Sequence, residues 1–154
     1  MKLFLNQIVF ILGYEECMKA KYKFYPNDKL LVEAFYGDIG MPDLIKIVDQ
    51  QTKHDEFSAI NKTISDIRAA DFILSIEQLN DYIGELKKLM EEQPLRWAIV
   101  TNKPNSTALS MLIKQDPFFD NRIQIYSTLS AGLRFLGVDI IPNKLLTNSF
   151  HIVD

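Results

Sequence analysis

Asp66 and Arg68 stand two residues apart at the end of a strand-like run, and alternation puts both on one face. Such a pair can neutralise itself, or its guanidinium can hold an anion. Ser75 follows a short stretch further on, just before an apolar-periodic segment. A serine there can cap a helix or accept a phosphate. A third group, Asn102, Ser106 and Thr107 with Lys103 and Asn105, lies between the apolar run Trp97–Val100 and the next helical pattern. Ligands in open α/β sheets collect beyond the carboxyl ends of strands, and helix N-termini favour anions. For each group the structural alternative is preferred: an internal ion pair, a helix cap and a polar loop.

Other chemistry finds little support. The single cysteine, Cys17, permits no intramolecular disulfide and no cysteine metal cluster. His54 and His151 are far apart without metal-ligand spacing, and read as incidental surface residues. Glu15-Glu16 and Glu91-Glu92 are adjacent pairs, so neither converges on one point. No GxGxxG, GxxxxGK[ST], GxSxG or HExxH pattern occurs. No serine or cysteine stands in a pattern with a base. The expectation is a non-enzymatic protein with no catalytic residues, no metal and no cofactor.

Composition sets the class. The chain has 154 residues, 47% hydrophobic and 24% charged, which suits one globular domain with a real core. Net charge is −3, which argues against a nucleic-acid partner. Lys19, Lys21, Lys23 and Lys29 form the nearest approach to a basic patch, and read as the solvated edge of a hairpin. No apolar run is long enough to span a bilayer. The cysteine usage fits a cytoplasmic protein.

The elements that position these groups follow from periodicity. Lys21–Tyr25 alternates, Leu30–Tyr36 is a second strand-like run, and Pro26-Asn27-Asp28 supplies a turn, so the pair reads as a hairpin ended by Gly37 and Gly40. A helix is expected over 41–53, with Pro42 in its first turn. Ile60–Ile67 reads as the third strand. Ser75 with Gln78 makes a capping-box pattern, and Ile76, Leu79, Ile83, Leu86 and Met90 form one helical face. Trp97–Val100 is a strand covered on both sides, followed by a helix over 106–115. Ile123–Tyr126 is the last strand, and Ser127 caps a helix that ends at Gly137. Residues 139–154 read as a tail with apolar islands, packed on the domain. The expected class is α/β, a mixed and largely parallel five-stranded sheet in the order ββαβαβαβα over residues 18–138.

Residues 1–17 form an N-terminal extension with three readings. Met18 is the true start and the extension is an upstream artefact, with Glu15-Glu16 codons resembling a ribosome-binding site; or the extension is structured; or it is a targeting segment. Asn6, Gln7 and the Glu15-Glu16 pair count against the last. Sequencing the native N-terminus decides between Met1 and Met18.

Three phrases carry a family resemblance: Ile64-Ser65-Asp66-Ile67-Arg68, Thr107-Ala108-Leu109-Ser110-Met111, and Tyr126-Ser127-Thr128-Leu129 with Phe135-Leu136-Gly137. Together with the element order, they make the chain resemble the anti-sigma-factor-antagonist or STAS domains, specifically the bacterial SpoIIAA-like group. In the antagonists, Asp-Ser-Ser-Gly opens the second helix, and one serine is phosphorylated by a partner kinase. The resemblance implies a protein partner docking around this joint, released by added negative charge. Here Leu74-Ser75-Ile76-Glu77 occupies those positions, so the acidic residue, the second serine and the glycine are missing. A one-residue slip in register would make Ser75 the acceptor.

Two functions from different classes follow. The first is a non-enzymatic STAS-like regulatory or interaction domain without the phosphorylatable switch, acting through the joint, with homodimerisation through an uncovered sheet edge. The second is a small-molecule or lipid-binding module with a pocket at the strand carboxyl ends, where Phe118, Phe119, Trp97 and Tyr126 would line an apolar cavity for a small ligand. A solid core with a flat exposed patch favours the first, and an apolar pocket favours the second.

Overall fold

The computed structural model describes residues 18–147 and 149–154, so the N-terminal extension, with Cys17 and the choice of start, lies outside the described residues. Six strands are described, β1 (Ala20–Tyr25), β2 (Leu30–Ile39), β3 (Lys62–Phe72), β4 (Arg96–Val100), β5 (Ile123–Tyr126) and β6 (His151–Val153), with four helices, α1 (Met41–Thr52), α2 (Ile76–Glu92), α3 (Pro104–Lys114) and α4 (Leu129–Leu136). They form one mixed sheet in the order β5-β4-β3-β2-β1-β6. β2, β3, β4 and β5 run parallel, joined by helical crossovers, while at one side β1 lies antiparallel to both of its neighbours, β2 and β6.

The strand count corrects the expected five. Residues 151–153, read as tail, pair with β1 as Ala20↔Val153, Lys21↔Ile152 and Tyr22↔His151. The lysine-bearing strand is therefore not a free edge over this stretch; β6 satisfies its outer hydrogen bonds.

β2 and β3 also run longer than periodicity suggests. Beyond the run ending at Tyr36, β2 passes through Gly37 at φ 65 and continues to Ile39, paired as Gly37↔Ala70 and Ile39↔Phe72. Glycine alone adopts that backbone without strain, so it bends the strand without ending it. Two positions before it, Ile67 and Arg68 of β3 face the single Phe35, which is a bulge.

The sheet is covered on both faces. Leu44 and Ile47 of α1, Leu79, Leu86 and Met90 of α2 and Ile113 of α3 pack on Leu31, Phe35, Ile67 and Ile99. On the other face, Leu133 and Leu136 of α4, with Val138 and Leu145, cover Leu30, Val32, Ile64 and Val100. α4 comes close because Gly132 has no side chain: a Cβ there would lie 2.9 Å from Ile64 Cδ1. Alternation thus fixes which β2 residues face which layer, with Leu31, Glu33 and Phe35 pointing toward α1, α2 and α3.

Candidate functional site

Glu33 is the chemically unusual group. It lies mid-strand on β2, beneath α1 and α2, and is 6% exposed. Its cross-strand partner in register is Ser65 of β3. The Ser65 hydroxyl donates a short hydrogen bond to Glu33 Oε1, and Gln51 Nε2 from the last turn of α1 donates to Oε2 at 2.6 Å. Trp97 Nε1, on the neighbouring strand β4, donates to Ser65 Oγ at 2.7 Å. Two donors, from α1 and β3, thus reach one carboxyl of β2, and a third, from β4, holds the Ser65 hydroxyl from behind. Glu33 makes no ion pair among the described residues. Burial pushes its pKa up, against the opposing pull of Ser65 and then Gln51. Tyr82 of α2, also lining this region, has its pKa raised by burial first and by Glu33 second. Its hydroxyl makes no hydrogen bond among the described residues.

The carboxyl lines a recess. A cavity of about 50 Å³ lies between the sheet and the two helices, lined by Glu33, Gln51, Tyr82 and Trp97 among apolar side chains. Space of that size holds a few water-sized groups. Above it, a groove of about 430 Å³ opens between α1 and α2. Leu44, Val48, Tyr82, Leu86 and Leu89 line both, so recess and groove adjoin and share walls. A neutral carboxyl acid at the inner end of an apolar cleft can donate or accept a hydrogen bond; ionised, it can pair with a cation.

The residues singled out in the sequence fall elsewhere. Asp66 accepts from Arg68 Nε at 2.9 Å, Nη2 at 2.7 Å and the Arg68 backbone N–H at 3.2 Å. The pair braces the bulge, and each charge is spent on the other. Ser75 caps α2: its Oγ accepts from Gln78 N at 3.1 Å while its own N–H donates to Gln78 Oε1 at 3.0 Å. Ser106 is buried, with its hydroxyl 3.5 Å from Ala70 O, and Thr107 Oγ1 donates to Lys103 O at 2.8 Å. Asn102 is exposed. The three groups do not converge. Asp66 faces the α4 layer, beside Tyr36 and Leu129, while Ser106 faces the opposite layer.

Two further expectations are corrected. The recess with Glu33 lies mid-strand, a smaller cavity of about 30 Å³ reaches Phe72 and Leu74 at the carboxyl end of β3, and the predicted aromatic lining is split. Trp97 lines the cleft, Phe119 is fully buried edge-on to Phe118 at 5.1 Å, and Tyr126 packs against Phe135 on the other face. The histidines are not incidental either. His54 accepts from or donates to the Tyr22 hydroxyl at 2.7 Å, and its ring centroid lies 4.3 Å from that of His151. The sixth strand brings together residues that sequence distance separates.

Glu33, Gln51 and Tyr82 escaped the sequence reading. A signal existed for the first: a lone acid in Leu30-Leu31-Val32-Glu33-Ala34-Phe35, sharing a face with Leu31 and Phe35. Nothing local marks Gln51, which reads as the polar end of a helix.

No protein-family model matches the chain, and no curated protein does. Among solved structures, the chain is similar to an uncharacterized protein of the DUF3478 family with a SpoIIAA-like fold from Shewanella loihica PV-4. Identity is 15%, over 75% of this chain and 89% of that one, with a TM-score of 0.51. The shared property is the fold, which is SpoIIAA-like. No helix among the described residues is long and apolar enough to cross a membrane.

Proposed function

We propose that this domain is a non-enzymatic binding module that takes a small, largely apolar molecule into the cleft between α1 and α2. One observation carries the reading: an apolar recess adjoining a surface groove holds a buried carboxyl, Glu33, that no cation among the described residues neutralises. Ligand sites combine apolar walls with a few fixed polar groups, and this cleft has that composition. The regulatory reading suggested by the fold has less support at its own site, since Asp66 and Arg68 satisfy each other and Ser75 is engaged as a cap.

Trp97 is the one tryptophan of the sequence and lines the recess, so its fluorescence reports occupancy. Titration with 1-octanol is expected to give a saturable change in Trp97 emission. Val48→Phe, which fills the groove from a half-buried wall position, is expected to weaken binding at least tenfold. A linear, non-saturating response in the unaltered protein would remove the reading.

A further inference from the structure

Every hydrogen-bonding group that reaches Glu33 is a donor. Ser65 and Gln51 donate to its two oxygens, and Trp97 holds the Ser65 hydroxyl in place from behind. Donors favour the charged carboxylate, whereas burial penalises it. What the recess lacks is a countercharge. An ionised carboxyl has about four acceptor sites, and the chain fills one on each oxygen. Two sites therefore remain for a ligand's N–H groups. Acceptor sites facing a cavity without a cation select a positively charged donor over a neutral one, and reject an anion.

The surroundings point the same way. Phe35, Phe57, Tyr82 and Trp97 line the recess with Glu33. Aromatic side chains beside a buried acid suit an ammonium, which gains from both. The groove above carries Asp49, Glu85 and Glu92. Lys53 pairs with Asp49 at 2.6 Å and Lys88 with Glu85 at 2.9 Å, so three acids against two lysines leave one negative charge in excess at the entrance. The recess is wide enough for an ammonium and its first carbons, and the groove continues the apolar path for the rest of a chain.

Resting on the cleft as a binding site, we infer that its ligand is an apolar molecule ending in a protonated amine, with the ammonium paired to Glu33. Binding then ionises Glu33 and releases its proton to solvent wherever the free protein holds it neutral. Tyr82 is the titratable neighbour facing it from α2; Gln51 from α1, Ser65 from β3 and Trp97 from β4 do not titrate in the working range. Tyr82 stays protonated, since its own pKa is raised. At the entrance, the charged groups are Asp49, Glu85, Glu92, Lys53 and Lys88.

The test compares octylamine, 1-octanol and octanoate below their aggregation concentrations, read by Trp97 fluorescence and by calorimetry. Octylamine is expected to bind at least tenfold more tightly than 1-octanol, and octanoate more weakly than either. Calorimetry in two buffers of different ionisation enthalpy is expected to show proton release with the amine and none with the alcohol. Glu33→Gln keeps the shape and removes the charge. It should abolish the amine preference and the proton release. In the unaltered protein, lowering the pH from 8 to 5 should weaken octylamine and leave 1-octanol unchanged, a result that needs no variant to fold. Equal affinity for amine and alcohol, or a preference that survives Glu33→Gln, would overturn the ammonium assignment and leave the cleft standing. Failure of both to bind saturably would overturn the cleft as well.

Discussion

The two polar centres of this domain differ in how their charges are settled. Asp66 and Arg68 form a bidentate pair at a strand bulge, with side chains 21% and 36% exposed. Glu33 is buried beneath one helical layer and, among the described residues, has only neutral donors bonded to it. The first centre is closed chemistry: each charge has its complement two residues away. The second is open, since the described residues supply hydrogen bonds but no opposite charge. Conspicuous charges at a surface are commonly spent on local structure, whereas an isolated acid under two helices must be explained by what it holds.

Breaking the deep centre should have the larger effect. Glu33→Ala leaves the Gln51 and Ser65 donors unmatched and opens a cavity beside them. Its expected cost at pH 5 is about 2–6 kcal/mol, from two buried donors at roughly 1–3 kcal/mol each, measured by urea denaturation. Ser75→Ala removes the cap of α2 and should cost about 1 kcal/mol in the same assay. Arg68→Ala should cost about 0.5 kcal/mol or less, because the pair is partly solvated. If Arg68→Ala proved as costly as Glu33→Ala, the contrast between an open and a closed centre would fail.

Acidity sharpens the same comparison. The folded-state pKa of Glu33 is raised, so the folded protein holds a proton that the unfolded chain gives up. That stabilising contribution is present below the unfolded glutamate value of about 4.5 and is lost as pH rises through the folded one. Glu33→Gln cannot ionise, so its stability relative to the unaltered protein should grow as pH rises from 4.5. His151 works in the opposite sense. Burial first, and His54 second, lower its pKa. Its contribution is full above about 6.5 and is lost as pH falls below that value through the lowered one. His151→Gln should therefore flatten the acid side of the stability profile. An unchanged profile would show that β6 holds β1 without reference to the imidazole charge.

Much of the fold was legible because its signals are local. The capping box of Ser75 and Gln78, the apolar face from Leu79 to Met90, and the glycine after α4 each lie within a single helix or its flanks. The continuation of β2 through Gly37 was hidden, because pairing with β3 overrides the glycine's poor strand preference. β6 was hidden too, since three residues carry too little periodicity to register as a strand. The sites divided the same way. The roles of Ser75 and of Asp66 with Arg68 were among the readings weighed, as cap and as pair, because their partners are three and two residues distant.

The amino-acid order by itself determined which segments form helices and strands, which of their faces are apolar, and hence an alternating α/β chain with parallel crossovers. Local propensity and side-chain periodicity suffice for that. Tertiary structure alone decided that Glu33 is buried, that Gln51 and Ser65 meet it from 18 and 32 positions away, and that α1 and α2 leave a cleft above it. The ionisation of a carboxyl depends on the solvent and partners within a few ångströms of it. Those are set by strand register and by how far apart two helices settle on a sheet, which no short stretch of sequence encodes.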